Sequence, residues 1–197
     1  MKNTNKLSTS TLVMGAVLTA LVLILQYLGT FIKLGPFSIS LVLIPIVIGA
    51  ATCGARIGAW LGFVFGGAVL LFGDAAAFLA VNPVGTVITV LAKGILCGLL
   101  SSLTYKGILK CSKSNRFLSV ISAAIVCPVI NTGVFLLGCL AFFMPTIAEW
   151  TTAAGLGGDV GRYMIFVLVG GNFLVELAVN IVFSPAIVHI INSVKKR

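Results

Sequence analysis

The sequence predicts an all-α integral membrane protein: a bundle of six transmembrane helices with both termini in the cytoplasm. Three observations carry this. The 197 residues are 59% hydrophobic and only 9% charged, against roughly a quarter charged in soluble domains, and the mean hydropathy is +1.20. Six apolar segments follow one another with short connections, using up the whole length at about 20 residues per span. The basic residues fall in alternate connections, the pattern that sets membrane orientation. A single transmembrane domain over residues 1–197 is expected, with no room for a soluble catalytic or nucleotide-binding domain.

The segments are residues 11–32, 39–53, 57–72, 83–105, 118–144 and 163–191. The first follows Lys2 and Lys6, but it is longer than a signal-peptide core and no small-x-small cleavage site follows it, so it is expected to be a span. The second and third are separated only by Gly54-Ala55-Arg56 and form a tight hairpin, with Pro45 predicting a kink or tilt in the second. In the third, Gly58, Gly62 and Gly66 repeat every fourth residue, the small-xxx-small pattern of closely packed membrane helices. The remaining three are long and uninterrupted.

Lys2, Lys6, Arg56, Lys106, Lys110, Lys113, Arg116, Lys195, Lys196 and Arg197 occupy one set of connections and the two ends of the chain. The other set holds Lys33 and Arg162 against Asp74, Glu149 and Asp159. The positive-inside rule then places both termini in the cytoplasm of a prokaryotic plasma membrane. The net charge of +9 is thereby a topology signal, and nucleic acid is not expected as a partner. The outer connections are Lys33–Ser38, Gly73–Asn82 and Pro145–Arg162, the last glycine-rich and long enough either to cover a site as a lid or to be a flexible surface loop. The five cysteines (Cys53, Cys97, Cys111, Cys127, Cys139) form no C-x-x-C pair and read as small apolar packers, not metal ligands. His189 reads as an interfacial residue.

Ionisable groups at membrane depth cost about 2.5–3.5 kcal/mol and are functional candidates by default. Lys93 lies ten residues past Pro83, about 15 Å down the fourth helix. Glu176 lies 13 residues past Tyr163, about 20 Å down the sixth. Asn82, Thr86, Thr89 and Lys93 share one helical face, as do Asn172, Glu176 and Asn180, while Asn131 and Thr132 sit mid-way along the fifth helix. Three polar stripes must face each other or a water-filled space, which predicts a polar pocket between the last three helices. The plainer alternative is a Lys93–Glu176 pair with Asn and Thr as interhelical glue. Metalloprotease, nucleophile-elbow and phosphate-loop motifs are missing, so no enzyme and no catalytic residue is expected.

The chain resembles the substrate-binding S components of energy-coupling factor (ECF) vitamin transporters. The similarity rests on Leu34-Gly35-Pro36 ahead of the second helix, Gly54-Ala55-Arg56-Ile57-Gly58-Ala59 opening the third, Asn82-Pro83-Val84-Gly85-Thr86 opening the fourth, Pro128-Val129-Ile130-Asn131-Thr132-Gly133 in the fifth and Asn172-Phe173-Leu174-Val175-Glu176 in the sixth. It covers essentially the whole length. The resemblance implies capture of a vitamin from outside through Asn82, Thr86, Lys93, Asn131, Thr132, Asn172, Glu176 and Asn180. It implies docking through Ala16 and Ala20 of the first helix onto a transmembrane coupling protein with two ATPases, which use ATP while this chain binds no cofactor of its own. It also implies toppling of the whole subunit to deliver the substrate inward. The G-P and N-P helix starts and the Asn-x-x-x-Glu look most like the pantothenate-type branch, with Lys93 facing a substrate carboxylate. Riboflavin is second, and would need Phe135, Phe142, Phe143 or Trp150 for stacking, residues otherwise expected to face lipid or pack in the core. A stand-alone ion-coupled transporter of a small organic solute is the rival reading, and it would be favoured by an inverted repeat, which the two halves do not display.

Overall fold

In a computed structural model, residues 8–34, 37–38, 40–112 and 115–195 are described. Lys2, Lys6, Gly35, Pro36, Lys113, Lys196 and Arg197, on which part of the sequence reading rests, lie outside the described residues. The helices are α1 (Thr9–Gly29), α2 (Leu43–Thr52), α3 (Ala55–Leu71), α4 (Ala76–Val81), α5 (Pro83–Cys111), α6 (Arg116–Phe142), α7 (Met144–Ala153), α8 (Val160–Arg162) and α9 (Gly171–Lys195), with a π-helical stretch Tyr163–Gly170 joining the last two. A two-residue antiparallel ladder pairs Lys33–Leu34 with Phe37–Ser38 between α1 and α2.

Four helical stretches are long and apolar enough to cross a membrane: α1, α5, α6 and the continuous run from Val160 to Ser193. α2 and α3 are shorter apolar helices, so length alone supports four spans, not the six expected. α2 departs most from expectation. Its ten residues rise only about 15 Å, half of a roughly 30 Å hydrocarbon core. Leu43, Ile46, Val47 and Ala50 are all fully buried, so α2 is a central plug and not a lipid-facing half-hairpin. Pro45 is its third residue, a position whose N–H has no intrahelical acceptor, so no kink is required there.

Specific contacts set the helix directions. Along α3 and α5, Gly58 faces Gly98, Gly62 faces Gly94 and Gly66 faces Val90, so the two run antiparallel. A methyl group on Gly58 would stand 2.6 Å from the Gly98 oxygen, and one on Gly66 2.9 Å from the Val90 oxygen. The backbones therefore meet directly, as the four-residue glycine repeat predicts. Gly85 meets Phe142 and Gly138 meets Thr89, making α5 and α6 antiparallel. Asn131 bonds to Glu176 while Arg116 donates to Asn192 at 2.6 Å, making α6 and α9 antiparallel. α1 runs with α3: Gly15 faces Ile57, and Trp60 Nε1 donates to Thr19 Oγ1 at 3.2 Å.

The start of α1 and the end of α9 consequently share one end of the bundle with the α2–α3 and α5–α6 turns, where Arg56, Lys106, Lys110 and Arg116 cluster. The opposite end carries Asp74, Glu149, Asp159 and Arg162. Two of the connections there are helical where loops were expected. α4 places Phe78 in a small aromatic cluster, its ring centroid 4.9 Å from Phe143 and 5.4 Å from Trp150. α7 forms the first half of the long last connection and buries Ile147 and Thr151. Neither a bare lid nor a free loop describes that segment. Only the turn after it, with Gly155, Gly157 and Gly158 at positive φ, is open glycine chain.

Candidate functional site

A cavity of about 750 Å³ of empty space, part of it open to the outside, lies between α1, α3, α5, α6 and α9, above the plug formed by α2. It belongs to the half of the bundle away from the chain termini, because α2 fills the half near them.

α5 begins at this end. Asn82 caps it, its Oδ1 accepting from Gly85 N at 2.9 Å, with Pro83 at the first helical position. From that start Thr86, Thr89, Val90 and Lys93 descend one wall of the cavity, as their shared helical face requires. Lys93 lies deepest. Its Nζ sits over two aromatic rings, 5.5 Å from the centroid of Phe65 and 5.6 Å from that of Phe135, within the range of cation–π attraction. Among the described residues no ion pair joins Lys93 to Glu176, so the pairing considered from sequence is not made.

Glu176 is held otherwise. Its Oε1 accepts from the backbone N–H of Ser40 at 3.3 Å and its Oε2 from Asn131 Nδ2 at 3.4 Å. Ser40, shortly ahead of α2, thus brings its backbone N–H against a carboxyl group of α9. Glu176 is 5% exposed, and two hydrogen bonds to its charged oxygens offset part of the cost of that burial.

Above Glu176 on α9 is Asn172, which lines the cavity together with Leu168 and Val169 of the π-helical stretch. In that stretch the backbone turns are wide, and Gly170 approaches the Ile165 carbonyl so closely that a Cβ would stand 2.8 Å from its oxygen. Such wide turns often occur at functional sites, and here the last one precedes Asn172.

Six of the eight residues singled out for binding line the cavity: Thr86, Lys93, Asn131, Thr132, Asn172 and Glu176. The other two do not. Asn82 is committed to capping α5. Asn180 is fully buried one turn beyond Glu176, its Nδ2 donating to the Glu176 backbone oxygen at 2.8 Å. Ala16 and Ala20 lie on the exposed face of α1, and Ala16 borders an apolar groove with Leu12, Ile57 and Trp60.

The cavity also gathers residues that the polar stripes did not include. Phe135 and Phe143 line it, Phe143 at 2% exposure, while also packing in the apolar cluster around Phe78, so they are core residues that border the cavity and do not face lipid. Phe142 is exposed, and Trp150 packs behind Phe78 instead of on the wall. Gln26 of α1 and Asp74, just beyond α3, form part of the lining and bond to each other, Nε2 to Oδ2 at 2.5 Å.

Among the described residues, three buried polar atoms of the wall have no partner: Thr89 Oγ1, Asn131 Oδ1 and Asn172 Oδ1. Buried polar atoms are nearly always bonded to something. Together with an ammonium that lies over two aromatic rings and makes no direct ion pair among the described residues, they mark a surface suited to a polar molecule. The cavity can bind and orient a small solute, with one cationic contact, several hydrogen-bond acceptors and an aromatic flank.

A search of curated proteins finds no match to the chain. The family model described as "ECF transporter, substrate-specific component" matches residues 10–191, nearly the whole length and every element that lines the cavity. With its apolar helices and its one-sided polar cavity, the chain belongs to the family of ECF transporter substrate-specific components.

Proposed function

We propose that this chain is the subunit that captures a vitamin from outside the cell and delivers it inward together with a transmembrane coupling protein and two ATPases. The substrate class the site supports best is a small carboxylate of the pantothenate type, with riboflavin second. The observation that carries this reading is Lys93. A buried ammonium flanked by rings, and in direct ion pair with no carboxylate among the described residues, is stabilised when a substrate carboxylate comes into contact with it. Flanking acceptors on Asn131 and Asn172 suit the hydroxyl and amide hydrogens of the same molecule. The aromatic flank of Phe135 and Phe143 suits a flavin ring less well, because Phe143 is already stacked edge-on against Phe78.

In this reading the cavity opens outward and the basic end of the bundle faces the cytoplasm, in line with the positive-inside rule. The exposed small-residue face around Ala16 and Ala20 meets the coupling protein, where small side chains allow close helix contact. ATP is consumed by the partners only. The experiment is native mass spectrometry of the detergent-purified protein for a co-purified small molecule, followed by uptake of labelled pantothenate into proteoliposomes with and without the coupling protein and ATPases. Uptake that needs those partners and ATP supports the proposal. Uptake by this chain alone, driven by an ion gradient, overturns it in favour of secondary transport.

A further inference from the structure

The cavity has two chemically different ends. At the deep end the Lys93 ammonium faces Phe65 and Phe135. At the open end stands Asp74, in the connection that follows α3. Its Oδ2 accepts from Gln26 Nε2, and its Oδ1 has no hydrogen bond among the described residues. Gln26 is 2% exposed although it comes from α1, a helix whose other surface is largely apolar and exposed. A buried glutamine on such a helix needs a polar partner, and the one it has is this carboxylate.

The hydrogen-bonding capacity of the wall is lopsided. Lys93 is its one cation, against two carboxylates, Glu176 and Asp74. Of the buried unpartnered atoms of the wall among the described residues, Asn131 Oδ1 and Asn172 Oδ1 only accept, while Thr89 Oγ1 can also donate; Oδ1 of the half-buried Asp74 is a further acceptor. A complementary ligand is therefore rich in donors and anionic at one end only, the end next to Lys93. An anion at the open end would meet Asp74 and be repelled. A hydroxyl or amine hydrogen there would complete it.

We infer that the Gln26–Asp74 pair is a second recognition point of the substrate site, in which Asp74 accepts a hydroxyl or amine hydrogen of a substrate whose carboxylate faces Lys93. Gln26 is a positioning residue that holds Asp74 in the wall. The substrate is thereby bound in one orientation, and small carboxylates lacking the distal donor are rejected, because they would leave Asp74 desolvated and unpaired. This inference rests on the reading of the site as a vitamin-capture site for a small carboxylate.

The test is calorimetric titration of the full-length purified protein with three probes. Pantothenate carries both the carboxylate and two hydroxyls. Pantothenol lacks the carboxylate, and N-(3,3-dimethylbutanoyl)-β-alanine lacks the hydroxyls. Wild type should bind pantothenate about tenfold or more tightly than either analogue, the effect of one charged hydrogen bond. Asp74→Ala should lose the preference over the deoxy analogue and keep the preference over pantothenol. Lys93→Met should do the reverse. Gln26→Leu should reduce the hydroxyl preference alone, an effect that a merely structural role would spread over both ratios. Should Asp74→Ala fail to fold, Asp74→Asn, which keeps the shape, is expected to narrow the same ratio.

An unchanged hydroxyl preference in folded Asp74 variants overturns the inference. If Lys93→Met still removes the carboxylate preference in that case, the capture reading stands without it. Absence of pantothenate binding by wild type overturns both.

Discussion

Replacing Gly62 by alanine perturbs the α3–α5 seam at its tightest point. A methyl group there would stand 2.6 Å from the Gly94 carbonyl carbon and nearer still to its oxygen. Ordinary contact needs 3.4 Å or more, and the neighbour is backbone that cannot rotate away, so the helices must part by about 1 Å. Overpacking of this kind costs about 1–3 kcal/mol, and between helices in lipid no hydrophobic gain offsets it. At about 2–4 °C per kcal/mol for a chain of this size, the loss in Tm is roughly 2–12 °C. Thermal unfolding of the detergent-purified protein, followed by the fluorescence of Trp60 and Trp150, measures it. Gly67→Ala is the control on the same helix: a Cβ there has nothing within 4 Å and gains up to about 1 kcal/mol of helix propensity. Gly62→Ala should also weaken substrate binding, because Phe65 and Lys93 stand on opposite sides of the seam. Equal unfolding temperatures for the two alanine variants would refute the reasoning.

Three further outcomes are expected. Lys93→Met should weaken binding of a carboxylate substrate by about 10- to 100-fold, the value of a charge-assisted hydrogen bond, while leaving Tm of the unliganded protein unchanged or raised; calorimetry and unfolding on the same preparation check both halves. Asn172→Leu removes a buried oxygen that has no partner among the described residues, so the empty protein should gain up to about 1–3 kcal/mol of stability while substrate affinity falls, and a parallel loss of both would show that Asn172 has an essential structural bond. Bulky replacements at both Ala16 and Ala20, which lie on the exposed face of α1, should leave substrate binding intact and abolish uptake in the reconstituted assembly; normal uptake would remove this face from the docking surface.

The legible part of the site is the part written in helical periodicity. Thr86, Thr89 and Lys93, and likewise Asn172 and Glu176, follow one another at three- and four-residue intervals within long helices, and a polar stripe on a membrane helix has to point inward. The glycine repeat of α3 was legible for the same reason. Ser40 was not, because it lies in a connection without helical periodicity and meets Glu176 from 136 positions away. Asp74 reads as an ordinary loop charge until Gln26 is seen to reach it across 48 positions. The role of Phe135 and Phe143 depends on helix rotation, and an aromatic ring in an apolar helix suits lipid and cavity wall alike. The short α2 is hidden similarly: an apolar run looks the same whether it meets lipid or, as here, the protein core.

That buried half-length helix bears on how a bound solute can leave. Below the cavity, Leu43, Ile46 and Val47 of α2 are fully buried, along with Leu61 and Phe65 of α3. The α3–α5 seam beside them is closed backbone to backbone. A path toward the chain termini through this floor would require pulling α2 out of the core and exposing several large aliphatic side chains, each worth about 1.5–3 kcal/mol of burial. It would also strand Glu176, which loses the Ser40 N–H if the start of α2 moves. Reorienting the whole subunit costs none of these contacts, because the core travels intact. The exposed apolar surface of α1, from Leu12 and Val17 to Ile24 and Leu28, can exchange lipid for a partner helix with little change in solvation. Within the proposed function, this packing is in line with release by movement of the entire bundle against a partner, and against the opening of a channel within it.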